Sequence, residues 1–132
     1  MAESTLFPAP PVVPDSQAFY AAAQEGRFML PRCTACGRAH WYPRTQCPFC
    51  DGAVTWEQAS GNGVIYSFSV MRRAKPMTTI AYVTLAEGPT MLTSLIDCDL
   101  DALRIGQSVH LKWAATQDGP PVPCFTPVTD NA

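Results

Sequence analysis

Cys-Thr-Ala-Cys at residues 33–36 and Cys-Pro-Phe-Cys at residues 47–50 are the two stretches that decide how this sequence folds. Each is a Cys-x-x-Cys pair, which presents two sulfurs on one side of a tight backbone turn. Zinc prefers four soft thiolates at the corners of a tetrahedron, and two facing turns supply them. The spacing therefore predicts one structural metal ion, with zinc favoured over iron, held by four ligands: Cys33, Cys36, Cys47 and Cys50.

The closed set of four sulfurs favours a structural role over catalysis, because it leaves no open position for water or substrate. A redox dithiol normally stands alone on a βαβ unit, which the sequence does not predict. Disulfides need an oxidising compartment. The first residues show no basic segment followed by an apolar stretch, so we expect no secretion signal and a cytoplasmic location.

Several side chains near the cysteines have expected supporting roles. Gly37 directly follows a cysteine pair, where the backbone often needs a left-handed residue. Zinc with four thiolates carries a net charge of about −2, which nearby guanidinium groups can offset. His40 is an alternative ligand, but four thiolates complete the site without it. The arginines in or beside the turns are Arg32, Arg38 and Arg44.

The length and the charge of the chain exclude several classes of protein. Its 132 residues are about one domain's worth, far too few for a TIM barrel. A formal net charge of −2 disfavours nucleic-acid binding, because phosphate contacts need a surplus of basic side chains. No apolar run is long enough to cross a membrane. Four of the 13 prolines fall within residues 1–14, which predicts a flexible tail there, and residues 129–132 form a second tail.

Between the tails, the sequence predicts one helix followed by a mainly β chain. Asp15 or Ser16 can cap a helix from Gln17 to Glu25, which Gly26 would end. Residues 15–54 thus contain this helix and the zinc-binding segment. Residues 55–128 contain three strand-like runs, a short helical stretch and two more strand-like runs, which is the order of a five-stranded OB-fold barrel. The runs are residues 64–70, 79–86, 91–96, 109–113 and 122–127, the last with prolines that suggest a sheet edge.

The first of these runs alternates, which predicts that one of its faces is buried. Its even positions, Val64, Tyr66, Phe68 and Val70, are large and apolar, while two of the three odd positions are serine. We therefore expect the even positions, Tyr66 among them, to face the core.

No catalytic set of residues can be assembled from this sequence. Cys98 and Cys124 lie outside the cluster, and the histidine in that half of the chain, His110, falls on the solvent side of its predicted strand. Buried, inert thiols are the favoured interpretation. The carboxylates between Asp97 and Asp101 suit helix capping. We therefore expect no enzymatic activity from this chain alone.

A longer series of motifs resembles a known family. The matching segments, in order, are Cys33-x-x-Cys36-Gly37, Pro43-Arg44, Cys47-Pro48-x-Cys50, Trp56, Ser60-Gly61-x-Gly63, Tyr66 to Val70, Arg72-Arg73-Ala74, Glu87-Gly88-Pro89, Cys98-Asp99, Leu103 to Gly106, and Phe125-x-Pro127. Together they resemble the acyl-CoA-associated zinc-ribbon/OB-fold family, long catalogued as a domain of unknown function. The resemblance covers residues 15–128. It implies an N-terminal helix, a rubredoxin-like zinc ribbon and a C-terminal OB barrel.

The same resemblance implies a function through partnership. Members act as non-catalytic partners of a thiolase-like acyltransferase, an aldolase or an enoyl-CoA hydratase subunit that processes acyl-CoA esters. A thiolase-like partner is the first expectation, in an assembly with two copies of each chain, because such enzymes are dimeric. This chain has Arg72-Arg73 where the family usually has His-Arg.

Two groups of residues are candidates for contacts within such a complex. Arg72, Arg73 and Lys75 could bind the phosphates of CoA, or could be a solvated strand end. Trp41 and Tyr42 could anchor the partner, or could pack over the zinc ribbon.

The alternative function is a nucleic-acid-binding module, because zinc ribbons and OB-folds both occur in such proteins. The sequence has only two lysines and a net negative charge, and both disfavour nucleic acid as a ligand.

Overall fold

A computed structural model describes residues 7–128 of the chain. Within this part the chain forms one α-helix, α1 (Gln17–Ala23), and eight strands. The strands are β1 (Phe7–Pro8), β2 (Met29–Cys33), β3 (Val54–Gln58), β4 (Asn62–Met71), β5 (Thr78–Leu85), β6 (Thr90–Thr93), β7 (Ser108–Gln117) and β8 (Gly119–Pro127). The predicted tail at 129–132, and the first six residues of the predicted tail at 1–14, lie outside the described residues.

Helix α1 begins where the sequence predicts, but its cap differs. Ser16 stands at the N-cap position, yet its hydroxyl makes no bond to the helix. It donates to the carbonyl of Val13 at 3.3 Å and accepts from the Val13 N–H at 3.2 Å, within a 3₁₀ turn. The helix ends at Ala23, two residues before the predicted end, and Gly26 then turns the chain with a φ of +76°. The apolar face predicted for the helix is buried: Phe19, Tyr20 and Ala23.

Strands β4 to β8 form the five-stranded OB barrel that the sequence predicts. Strand β4 pairs with β5 and β7, β5 pairs with β6, and β7 pairs with β8, all antiparallel. A single parallel bridge between Leu95 and Phe125 joins the segment after β6 to β8. Strand β8 carries four prolines, which donate no hydrogen bonds, and its regular partner is β7. The short strand β1 adds to β7 in parallel.

A β-bulge in β4 overturns part of the burial predicted for this strand. Ile65 pairs with Val83 and Ser67 pairs with Tyr82, so Tyr66 is the extra residue. An extra residue reverses the alternation of faces from that point onward. Before the bulge the odd position Ile65 is therefore buried, at 1% exposure, and Tyr66 is 66% exposed. Beyond the bulge the prediction is right, because Phe68 packs against the core.

The zinc-binding segment and the barrel share one hydrophobic core. Strands β2 and β3 pair antiparallel, which brings the two ends of the cysteine-rich segment together. Phe28, just before β2, contacts the rings of Trp113 of β7 and Phe125 of β8, with ring centroids 6.0 and 6.4 Å apart. Phe19 of α1 lies 4.9 Å from the Trp41 ring. The two predicted domains therefore depend on common packing.

Candidate metal centre and docking surface

Each cysteine pair sits on a backbone turn that aims amide groups at sulfur. The amide of Cys36 donates to Cys33 Sγ at 3.3 Å, and the amide of Phe49 donates to Cys47 Sγ at the same distance. Gly37 leaves the first turn with a φ of +80°, as its position after the pair predicts. Asp51 occupies the matching position after the second pair, with a φ of +69°. The two turns are therefore built alike, although only one of them uses glycine.

The four sulfurs are arranged for one tetrahedral metal ion. The Sγ atoms of Cys33, Cys36, Cys47 and Cys50 all lie within 4.8 Å of one another. Cys33 Sγ is 3.4 Å from Cys50 Sγ, and Cys36 Sγ is 3.7 Å from Cys47 Sγ. Bonds of about 2.3 Å to zinc place tetrahedral thiolates roughly 3.8 Å apart. The donor set and its spacing therefore fit zinc, which agrees with the predicted ligands.

The first of the two turns also favours the thiolate form that a metal needs. Amide donors, first that of Cys36, lower the pKa of the Cys33 thiol to about 6. The N–H of Arg38 lowers the pKa of Cys36 in the same way. Because zinc binds thiolates, these backbone bonds prepare the site for the ion.

Two of the three arginines near the cysteines bind elsewhere than at the thiolates. Arg32 donates to a Glu57 carboxylate at 2.8 Å and to the Gly37 carbonyl at 2.6 Å. The Arg38 guanidinium lies 4.2 Å from the centre of the Phe49 ring. His40 is buried at 2% exposure and is not among the clustered ligand atoms.

The two remaining cysteines have the environment of inert thiols. Cys124 is buried, and burial raises the pKa of its thiol to about 12. Cys98 is only partly buried, which differs from the prediction, and this burial likewise raises the pKa of its thiol. His110 is exposed, as predicted, and its Nδ1 lies 2.9 Å from the side-chain oxygen of Asn62. Asp99 caps a 3₁₀ turn at Leu100–Ala102 by accepting from the amide of Asp101, which is the role predicted for these carboxylates.

The two aromatic residues predicted as partner anchors lie in different surroundings. Trp41 is partly buried and packs edge-on against Phe19. Tyr42 is 41% exposed, with its hydroxyl 3.4 Å from that of Tyr20. Of the pair, Tyr42 offers more surface to a partner.

The barrel exposes an uncharged sheet face that the sequence did not predict. Strands β4, β5 and β6 contain no charged residue. Tyr82 and Leu92 face each other across β5 and β6, and both are exposed. The absence of charged residues from three neighbouring strands is the sequence feature that indicates such a face. The prediction that Tyr66 is buried hid this feature. The uncharged sheet face consists of Val64, Tyr66, Ile80, Tyr82 and Leu92.

An apolar groove extends this face toward the zinc ribbon. It has a volume of about 690 Å³. Ile80, Tyr82 and Leu92 line one part of it, and Trp41 and Tyr42 line another. The exposed sheet side chains and the aromatic residues of the ribbon loop thus form one continuous surface.

The predicted CoA-binding cluster is exposed in the loop between β4 and β5. Arg72 forms an ion pair with Asp101, at 3.0 Å. Arg73 and Lys75 make no ion pair within residues 7–128. No helix in the described part of the chain is long and apolar enough to cross a membrane.

A four-cysteine ribbon joined to an OB barrel defines a two-domain zinc-ribbon/OB-fold protein, and comparisons with known proteins agree. Residues 21–57 match the rubredoxin-like zinc ribbon domain of ChsH2, and residues 56–114 match the C-terminal OB-fold domain of ChsH2. A DUF35 domain-containing scaffold protein of Methanothermobacter thermautotrophicus is 32% identical over 95 residues, which span 66% of this chain and 71% of the relative. The chain belongs to the DUF35 family of zinc-ribbon/OB-fold scaffold proteins, as the resemblance of its motifs implies.

Two further matches carry the names of enzymes. A probable enoyl-CoA hydratase alpha subunit of Thermomonospora curvata is 30% identical over 129 residues, which span 92% of this chain and 40% of that subunit. This chain thus matches less than half the length of that relative. A solved structure described as an Ltp2-ChsH2(DUF35) aldolase contains a chain that is 28% identical, with a TM-score of 0.80 and coverage of 91% of this chain and 99% of that one.

The fold also recurs at low identity. A DUF35 protein of unknown function from Sulfolobus solfataricus matches with a TM-score of 0.65 at 13% identity, over 87% of this chain and 86% of the other. This similarity supports the two-domain fold alone.

Proposed function

We propose that this chain is a non-catalytic accessory subunit of an acyl-CoA-processing enzyme. A thiolase-like acyltransferase is the first candidate partner, ahead of an aldolase or an enoyl-CoA hydratase, with two copies of each chain in the assembly. The observation that carries the proposal is the uncharged sheet face with its adjoining groove. The names of the relatives support it, since they are a scaffold protein, a hydratase subunit and a chain of an aldolase complex.

The chemistry of this face suits a protein partner. Interface centres are depleted in charge and enriched in aromatic residues, whereas large contiguous apolar patches are rare on the surfaces of monomers. Tyr66 and Tyr82 could stack on bases, but a nucleic-acid surface also needs basic side chains. The strands that carry these two tyrosines contain no basic residue. The face therefore supports the accessory-subunit function over the nucleic-acid alternative.

The four-thiolate site serves this role as a rigid structural element. A zinc ion held by Cys33, Cys36, Cys47 and Cys50 would fix the loop that carries Tyr42, which reduces the entropy lost on docking. Thiolates persist in a reducing compartment, and we place the protein in the cytoplasm for that reason.

A contact with acyl-CoA belongs to the proposal as well. Arg73 and Lys75 are the better candidates for phosphate contacts in the predicted cluster, because Arg72 is paired with Asp101.

Co-expression with each of the three enzyme classes tests the proposal. Size-exclusion chromatography with light scattering measures assembly, and acyl-CoA turnover is assayed with and without the small chain. We expect a stable hetero-oligomer with one class, higher activity or solubility of that enzyme, and no turnover by the small chain alone.

A pair of matched variants locates the interface. Leu92→Arg places a charge on the uncharged sheet face and should abolish co-elution. Ile105→Arg places the same charge on an exposed apolar residue outside that face and should leave assembly intact. Elution of the wild-type small chain alone with all three classes, while each enzyme is equally active and soluble without it, would end the proposal.

A further inference from the structure

A second cleft lies where the zinc-binding segment meets the turn between β5 and β6. It has a volume of about 500 Å³. Although the chain has only nine lysines and arginines and a net charge of −2, three of these basic residues line this one cleft. They are Arg32, Arg38 and Arg44.

The three guanidinium groups differ in how fully they are bound. Arg32 is occupied by Glu57 and by the carbonyl of Gly37. Arg38 lies over the ring of Phe49, an arrangement that leaves the N–H groups at its edge able to donate. Arg44 is exposed and forms no ion pair within residues 7–128. Two of the three arginines are thus available to an anion.

A buried polar side chain without partners lies in the same cleft. His40 is 2% exposed and lines the cleft, and neither of its ring nitrogens has a hydrogen-bond partner among the described residues. Buried polar groups are almost always hydrogen-bonded, so such a ring calls for an explanation. Burial, and then the charge of Arg44, lower the pKa of His40. A neutral imidazole offers one N–H donor and one acceptor.

The cleft is lined by fewer acidic than basic side chains. Glu87 is the one carboxylate among the described lining residues. One of its oxygens accepts from the Ser60 amide at 2.8 Å, and the other is buried without a partner. Counted over side chains, the three arginines against Glu57 and Glu87 leave one positive charge. The thiolates of the zinc site, which together with zinc carry about −2, do not line the cleft.

We propose that this cleft binds a phosphate group, with Arg38 and Arg44 donating to its oxygens and the ring N–H of His40 completing the contact. Planar guanidinium groups match the geometry of phosphate oxygens. The cleft shares Trp41 and Thr90 with the apolar groove, so a ligand with a phosphate head and an apolar chain could extend from one into the other. The ligand is either free inorganic phosphate or a phosphorylated nucleotide such as CoA. The inference does not depend on the accessory-subunit function, because it concerns binding by this chain alone.

Titration of the zinc-loaded full chain tests the site. Inorganic phosphate, CoA and dephospho-CoA are the probes, followed by calorimetry and by the ring-nitrogen NMR signals of His40. We expect binding that shifts those signals. Stronger binding of CoA than of inorganic phosphate would identify a nucleotide site. Weaker binding of dephospho-CoA than of CoA would show that the cleft binds the 3′-phosphate of CoA.

Charge-matched variants make the test specific. Arg44→Gln should weaken binding about tenfold or more, since a charge-assisted bond is lost, whereas Arg104→Gln removes an exposed charge elsewhere and should change it less than about twofold. If Arg44→Gln disturbs the zinc content, Arg44→Lys keeps the charge without the planar fork and should give an intermediate loss.

Three results would overturn the inference. One is no binding of phosphate or CoA at millimolar concentration, and another is equal behaviour of Arg44→Gln and Arg104→Gln. The third is loss of CoA binding in Arg73→Gln and Lys75→Gln but not in Arg44→Gln. That result would overturn this cleft while leaving the proposed CoA contact of the β4–β5 loop intact.

Discussion

The two cysteine turns of the metal centre are similar because each is followed by a residue with left-handed backbone. Gly37 and Asp51 each follow a cysteine pair and have φ values of +80° and +69°. Glycine adopts this conformation freely, and aspartate is among the few other residues that tolerate it. The sequence pointed to Gly37 but gave no such signal at Asp51, because aspartate is common in many turns. The ligands themselves were predictable, since Cys-x-x-Cys spacing fixes them without knowledge of the rest of the fold.

Removing one sulfur should remove the metal. Cys47→Ser leaves three thiolates, and structural zinc contributes on the order of 10–16 kcal/mol in small peptides at neutral pH, so residues 30–52 should become disordered. Metal analysis of freshly purified, reduced protein should give one zinc per wild-type chain and far less in the variant. Cys124→Ser, at a buried thiol outside the cluster, is the control and should retain its zinc. Wild-type protein without bound zinc or iron would contradict the assignment.

Tyr20 should make the fold sensitive to alkaline pH. Burial, reinforced by the Tyr42 hydroxyl, raises the pKa of Tyr20 above its ordinary value of about 10. The folded state thus favours the neutral phenol, and the stability this provides is complete below about pH 10 and is lost as pH rises above it. Tyr20→Phe removes the titration. Urea unfolding at neutral pH and at about pH 10.5 should show a smaller alkaline loss of stability in the variant than in the wild type. Equal losses in the two proteins would show that other groups control the effect.

At the scale of elements, the β-bulge in β4 explains why the burial predicted for this strand differs from the burial in the structure. The strand-like runs were visible from their alternation, and all five became strands of the barrel. The face that each residue takes depends on register, and the register of β4 changes between Ile65 and Ser67. A bulge has no signal in a run that alternates without a break, so the exposure of Tyr66 was not predictable. The uncharged sheet face was missed for the same reason.

The ribbon loop offers a test that separates packing from docking. Trp41 contacts the core through Phe19 and Phe28, so Trp41→Ala should lower the free energy of unfolding by about 2–4 kcal/mol. Tyr42 is more exposed, so Tyr42→Ala should cost less than about 1.5 kcal/mol in folding yet weaken assembly with the enzyme subunit about tenfold or more. Urea unfolding measures the first effect and co-elution the second. If Tyr42→Ala assembles as the wild type does, the loop is not part of the interface.

At the scale of the whole molecule, the ribbon and the barrel are separate segments of the sequence but share one packed core. The division near residue 55 follows from where the cysteine pattern stops and the strand pattern begins. The shared aromatic cluster depends on tertiary contacts, such as that of Phe28 with Trp113, which no local pattern encodes. Strand β1 escaped prediction in the same way, since two residues paired with Thr116 and Gln117 have no periodicity of their own.

Because the core is shared, loss of the metal should weaken the barrel as well as the ribbon. Phe28 leads directly into β2, which ends at the ligand Cys33, so disorder in the ribbon would remove Phe28 from its contacts with Trp113 and Phe125. Chelation of the zinc should therefore lower the midpoint of thermal unfolding by on the order of 10 °C or more, in one cooperative transition. Near-ultraviolet circular dichroism reports the aromatic packing and far-ultraviolet dichroism reports the strands, and their midpoints should shift together. Resupply of zinc should restore both, whereas magnesium, which prefers oxygen ligands, should restore neither. A barrel transition that keeps its midpoint after chelation would mean that the OB-fold is independent of the ribbon, and the shared core would then contribute little to its stability.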